Sequence, residues 1–178
     1  MDDKELLKLA EEFGFEYFSM LDPRTLEFRK DVRDMCNPKA CPNYDRRWSC
    51  PPAVADLPEL SEKLTHYTRG LIVQTVRPRE DSFDFEAMIE AAELHKQRFT
   101  DMTMRLWKDF PDVWPMSAGA CEVCKECTYP DAPCRFPDKM FSSMEALGLY
   151  VAKVCTDNGL AYNYGNEAIA YTSCWVFK

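Results

Sequence analysis

The sequence has no apolar run long enough to cross a membrane: its longest uncharged stretch, Ala168 to Phe177, is about half of the roughly 20 residues a spanning helix requires. A basic stripe is missing too. Its 22 lysines and arginines are outnumbered by 30 aspartates and glutamates, a net charge of -8 that argues against nucleic acid as a partner. Histidine is scarce. The chain has only His66 and His95, neither in C-x-x-C-H or H-E-x-x-H context, so haem attachment and zinc-protease chemistry have no motif to stand on. G-x-G-x-x-G, G-x-x-x-x-G-K-[ST] and G-x-S-x-G are also lacking, which removes the usual phosphate cradles and the nucleophile elbow. The first residues turn acidic at Asp2 and lack the basic-then-apolar order of an export signal, so the expected location is the cytoplasm.

What the chain has in excess is cysteine. Nine in 178 residues is several times ordinary usage, and a cytoplasmic protein does not generally keep thiols as disulfides, so metal binding or redox chemistry is the expected reason for them. Seven are clustered: Cys36, Cys41 and Cys50 in one segment, Cys121, Cys124, Cys127 and Cys134 in another. Cys155 and Cys174 stand apart.

The remaining pattern is that of one globular domain over residues 1–178, with 46% hydrophobic and 29% charged residues. Leu6, Leu9, Ala10 and Phe13 predict a first helix that Gly14 stops. Residues 15–21 and 25–29 predict two short strands on either side of Asp22-Pro23. Asp56 caps an expected helix bearing Leu57, Leu60 and Leu64, followed by a buried strand over residues 71–76. Phe85, Met88, Ile89, Ala92, Phe99, Met102 and Leu106 predict a long amphipathic helix within residues 84–110. A capping-box pattern at Ser142 to Glu145 predicts a helix running to Asn158, and residues 160–164 and 167–177 predict a closing hairpin. The expected fold is α+β, with helices packed on a mixed or antiparallel sheet and the cysteines in two loops, at about residues 35–52 and 119–137.

The second loop reads C-x2-C-x2-C-x6-C. Three cysteines at steps of three curl a short loop so that the sulfurs point inward, as in the bacterial C-x2-C-x2-C-x3-C-P run that holds a [4Fe–4S] cluster. Zinc sites more often present two separated C-x2-C knuckles. The last spacer here is six residues, and Arg135 follows Cys134 where that run has proline, so Cys134 either closes the same cluster or serves another. Arg135 either supports a cluster sulfur from outside the ligand set or is an ordinary surface arginine. The first loop reads C-x4-C-x8-C within a proline-rich stretch, a stiff frame for a metal but a less diagnostic one. The two loops supply seven of the eight donors that two four-ligand clusters need. Cys155, Cys174, a different donor or an open position would complete the set, and both lone cysteines read as core.

At these residues the chain resembles a prokaryotic family of predicted metal-binding proteins, domain of unknown function 2284. The resemblance rests on Cys36-Asn-Pro-Lys-Ala-Cys41, Trp48-Ser-Cys50-Pro-Pro52, Cys121-x2-Cys124-x2-Cys127 with Cys134-Arg-Phe-Pro137, and Ser143-Met-Glu-Ala-Leu-Gly148. It implies metal ligation by the seven loop cysteines and names no reaction. Three functions fit. The leading expectation is an iron–sulfur protein with one or two [4Fe–4S] clusters that passes electrons to a protein partner, whose docking face the acidic charge predicts to be basic. The alternatives are an enzyme with an open iron at the Cys36, Cys41, Cys50 loop, and a zinc-stabilised protein-binding module.

Overall fold

Asp2 starts the first helix, α1 (Asp3–Glu12): its carboxylate accepts from the Glu5 N–H while the Glu5 side chain accepts from the Asp2 N–H. In the computed structural model, which describes all 178 residues, there follow β1 (Tyr17–Leu21), α2 (Lys30–Met35), α3 (Leu57–Leu64), β2 (Arg69–Pro78), α4 (Phe85–Leu106), β3 (Trp114–Met116), α5 (Val151–Asp157) and β4 (Ala168–Phe177). The four strands form one antiparallel sheet in the order β1-β2-β4-β3, so the fold is α+β.

The period-2 alternation of the central strands divides the core in two. Leu71 and Val73 of β2 and Trp175 and Phe177 of β4 pack with Leu6 and Ala10 of α1 and Phe99, Met102 and Leu106 of α4. Ile72, Cys174 and Val176 point the other way, to Leu60 of α3, Val151 and Val154 of α5, and the Met144–Leu149 turn. Both faces are covered, which is why Leu71 to Thr75, including the polar Gln74 and Thr75, are all buried, as expected of a buried strand.

Several expected elements differ. Residues 25–29 make no strand: Pro23–Thr25 is a single 3₁₀ turn, Phe28 forms one isolated bridge with Leu149, and α2, unforeseen, begins at Lys30. The helix expected from Ser142 starts only at Val151. Ser143 Oγ does accept from the Ala146 N–H, but Gly148 takes φ +94°, and a Cβ there would stand 3.0 Å from the Arg29 carbonyl oxygen, so the chain turns instead of continuing. Residues 160–164 are not a strand. β4 pairs instead with β2 over its whole length and with the unforeseen β3 at its end, because a ten-residue strand buried on its inner half finds more partner surface across the sheet than in a local hairpin. On α4 the buried residues are Ala91, His95, Phe99, Met102, Thr103 and Leu106, whereas Phe85 and Ile89, expected on the apolar face, are exposed. No helix is long and apolar enough to cross a membrane.

Candidate metal centre

Both cysteine segments lack regular secondary structure between the end of α2 at Met35 and Pro52, and between residue 119 and a 3₁₀ turn that starts at Pro137, and each is shaped by its own polar contacts. In the first, Cys36 closes α2, with its N–H bonded to the Arg33 carbonyl, and Asn37 Oδ1 accepts from the N–H groups of Lys39 and Ala40. The Cys41 N–H reaches the Asn37 carbonyl, and the Asp45 N–H reaches back across the loop to the Pro51 carbonyl at 2.8 Å. In the second, the Ala132 N–H bonds to the Thr128 carbonyl, Thr128 Oγ1 donates to the Pro133 carbonyl, and Arg135 Nη1 donates to the Glu126 carbonyl.

The two loops are joined to each other more firmly than to the sheet. Arg47 Nη1 donates to the Cys121 carbonyl at 2.6 Å and Arg47 Nε donates to Asn43 Oδ1. Ser49 Oγ accepts from the Cys121 N–H at 3.2 Å, so both backbone groups of Cys121 are held by side chains of the other loop. Trp48 Nε1 donates to the Ala132 carbonyl at 3.0 Å, its ring stands edge-on to Tyr129, and the Tyr129 hydroxyl donates to Asp45 Oδ1. Lys96 of α4 pairs with Glu122 and ties the assembly to the helix.

This junction brings Cys121, Cys124, Cys127 and Cys134 around one hollow, whose walls include Trp48, Phe136 and Met140. All four are half-buried. Burial pushes the Cys121 thiol up, against a hydrogen bond from the Val123 N–H, and the charges of Cys134, Cys124 and Cys127 push it further. Cys127 goes the other way. Burial works against its thiolate, but the N–H groups of Tyr129, Trp48 and Thr128 and the charge of Arg47 outweigh it and hold the thiol below its ordinary value. Cys36 is pushed up by burial and by the charges of Cys41 and Cys50. Cys50 is pushed up by burial, against Ser49, and by Cys41 and Cys121. Cys36, Cys41 and Cys50 thus lie within electrostatic reach of one another, and Cys50 within reach of Cys121.

The donors suit a soft or borderline metal. No three His, Cys, Asp or Glu side chains are gathered tightly enough for one ion as the chain stands. Sulfurs on a single tetrahedral zinc sit about 3.8 Å apart, given Zn–S near 2.3 Å, whereas sulfurs on four corners of an iron–sulfur cube are spread more widely. The hollow itself is small, about 20 Å³, room for one water.

Cys155 and Cys174 are fully buried in the sheet's core, away from this junction. Cys155 Sγ accepts from Gln74 Nε2 and lies 3.9 Å from Thr172 Oγ1, and burial pushes the Cys174 thiol far up, as their reading as core residues requires. His95 is a buried residue of α4 and His66 lies in the turn after α3. The joining of the loops by Arg47 and Ser49 is not foreshadowed by the cysteine spacing. Its signal is the run Arg46-Arg-Trp-Ser49 between Cys41 and Cys50, since polar side chains confined between two ligands have few places to point other than the neighbouring loop.

Two loops that present seven thiols on an α+β scaffold define a thiol-rich metal-binding protein. The chain belongs to the family described as predicted metal-binding protein (DUF2284), whose model matches residues 19–177. No curated protein and no solved structure matches it.

Proposed function

We propose that this protein is an iron–sulfur electron carrier. Cys121, Cys124, Cys127 and Cys134 would hold one [4Fe–4S] cluster, and Cys36, Cys41 and Cys50 a second metal. The observation that carries the reading is the convergence of all four cysteines of the C-x2-C-x2-C-x6-C run on one hollow, with backbone N–H groups aimed at Cys121 and Cys127. A bound cluster supplies a one-electron couple. The chain's own part is to exclude water with Trp48, Phe136 and Met140, and to stabilise thiolate charge with N–H donors and Arg47, the means by which a protein sets such a centre's potential. Val123 and Phe136 line the hollow and are also exposed, so the centre is close to the surface, as transfer to a partner needs. The net charge of -8 favours a partner with a basic face.

A second reading, a zinc-stabilised binding module, is favoured by the small size of the hollow. Anaerobic purification with iron, zinc and acid-labile sulfide counts, and an absorption spectrum before and after dithionite, separates the two. About four iron and four sulfide per chain with a brown band that bleaches is expected, and about eight of each if the second site also holds a cube. Zinc without sulfide would overturn the electron-carrier reading.

A further inference from the structure

No residue of α4 before Ala91 is buried. Phe83, Phe85 and Ile89, in and just before this stretch, are three of the four most exposed large apolar side chains of the molecule, at 78%, 64% and 58% of full exposure. Phe85 and Ile89 stand one turn apart, and Lys96 falls on the same stripe, seven residues and about 10 Å beyond Ile89. That stripe runs up to the second cysteine loop. Lys96 pairs with Glu122, and a cavity of about 370 Å³ is lined by Glu93, Lys96 and Thr100 of α4 and by Cys121, Glu122 and Val123 of the loop. Cys121 and Val123 also line the hollow of the metal centre. The exposed stripe and the metal centre are thus neighbours along one helix.

The charge around the stripe is of one sign. Residues 80–93 hold Glu80, Asp81, Asp84, Glu86, Glu90 and Glu93 and no lysine or arginine. Asp81 and Asp84 shape the turn: Asp81 accepts from the Phe83 N–H, and Asp84 from the N–H groups of Glu80 and Ala87. The four glutamates are exposed, and none of them joins an ion pair. Apolar anchors inside a polar rim are the anatomy of a protein docking site. The charge selects the occupant. A second copy of this chain, docked by a two-fold contact, would set the same six acids against one another. An anionic lipid surface would repel them. The complementary surface is a protein face with apolar side chains ringed by lysines and arginines.

We infer that the start of α4 is the surface on which a basic redox protein docks to exchange electrons with the metal centre, Phe83, Phe85 and Ile89 being the anchors and Glu80, Glu86, Glu90 and Glu93 the rim. The inference deepens the electron-carrier reading and rests on it.

The test uses the full chain purified without oxygen, reduced with dithionite and freed of excess reductant. Two oxidants are compared: cytochrome c, whose haem edge is ringed by lysines, and ferricyanide, which is too small to need a docking surface. Each takes one electron, so that the cluster is oxidised, ferric iron becomes ferrous and no proton moves. Phe85→Ser with Ile89→Ser, and separately Glu86→Gln with Glu90→Gln, are each expected to slow the reaction with cytochrome c at least about tenfold at low ionic strength. Neither pair slows the reaction with ferricyanide. Glu59→Gln with Glu62→Gln makes the same charge change on α3, across the sheet from α4, and is expected to leave both rates within about twofold. Patch variants as fast as the unaltered chain towards cytochrome c overturn the docking surface and leave the carrier reading standing. So does an unaltered chain that reacts with ferricyanide and not with cytochrome c. No transfer to either oxidant overturns the carrier reading and the inference with it. A dimer in sedimentation that Phe85→Ser with Ile89→Ser separates would show the stripe covered by a second copy, and also overturns the inference.

Discussion

Arg47 links the two loops through one guanidinium, and its partners decide what its loss would do. It holds the Cys121 carbonyl and Asn43, and its charge favours the Cys127 thiolate. Arg47→Ala is expected to lower metal affinity about 10–100-fold, while Arg46→Ala, at the exposed neighbouring position, leaves it unchanged, both read from metal retained against a competing chelator. The thiols themselves predict a pH dependence. Burial holds Cys36, Cys50 and Cys121 above the ordinary thiol value, so without metal they carry protons at neutral pH, and binding must displace them. Affinity is therefore expected to fall as pH falls, about tenfold per unit for each displaced proton, which a competition titration between pH 8 and 6 would measure.

Among the elements, α4 is fastened to the sheet at several polar points, one of them a buried histidine. His95 is buried between Thr75 Oγ1 of β2 at 2.9 Å and Ser173 Oγ of β4 at 2.7 Å, and burial, helped by the charges of Arg98 and Lys96, holds its pKa down to about 3. A folded-state pKa below the unfolded value near 6.5 means that protonation favours unfolding. Stability is intact above about pH 6.5 and is lost as pH falls toward 3, at about 1.4 kcal/mol per unit. The urea midpoint should begin to fall below about pH 6.5, before carboxylates titrate, and His95→Gln should flatten the slope between pH 6.5 and 5. At the other face, Gly148→Ala puts a Cβ against the Arg29 carbonyl in a left-handed conformation, and a loss of about 1–2 kcal/mol is expected in the same measurement. These two sites also show what the sequence could not disclose about the elements. The spacing of Phe99, Met102 and Leu106 made α4 legible, but a histidine satisfied by hydroxyls 20 and 78 residues away has no local signature. Ser142 to Glu145 has the pattern of a helix start because capping is local, whereas the neighbour that leaves no room for a Cβ at Gly148 is Arg29, more than a hundred residues earlier.

At the scale of the whole molecule, the cysteine grouping was legible because ligand spacing is a property of a short segment, while the meeting of the two groups at Cys50 and Cys121 depends on Arg47 and Ser49 reaching across 74 and 72 residues of chain. The same division predicts how the protein responds to metal removal. Two apolar clusters of 14 and 13 buried residues lie on the two faces of the sheet, and none of their members belongs to either cysteine loop. The loops in turn hold each other through a handful of hydrogen bonds around Cys121, Trp48 and Tyr129. Burial of the apolar clusters supplies the folding free energy of the scaffold, and metal–thiolate bonds would act on the loops alone. Chelation under anaerobic conditions is therefore expected to open residues 36–52 and 119–136 to proteolysis and amide exchange, while amides of β2 and β4 keep their protection. Loss of protection in β2 and β4 at the same chelator concentration would mean that the sheet depends on the metal, and that the loops and scaffold form one cooperative unit.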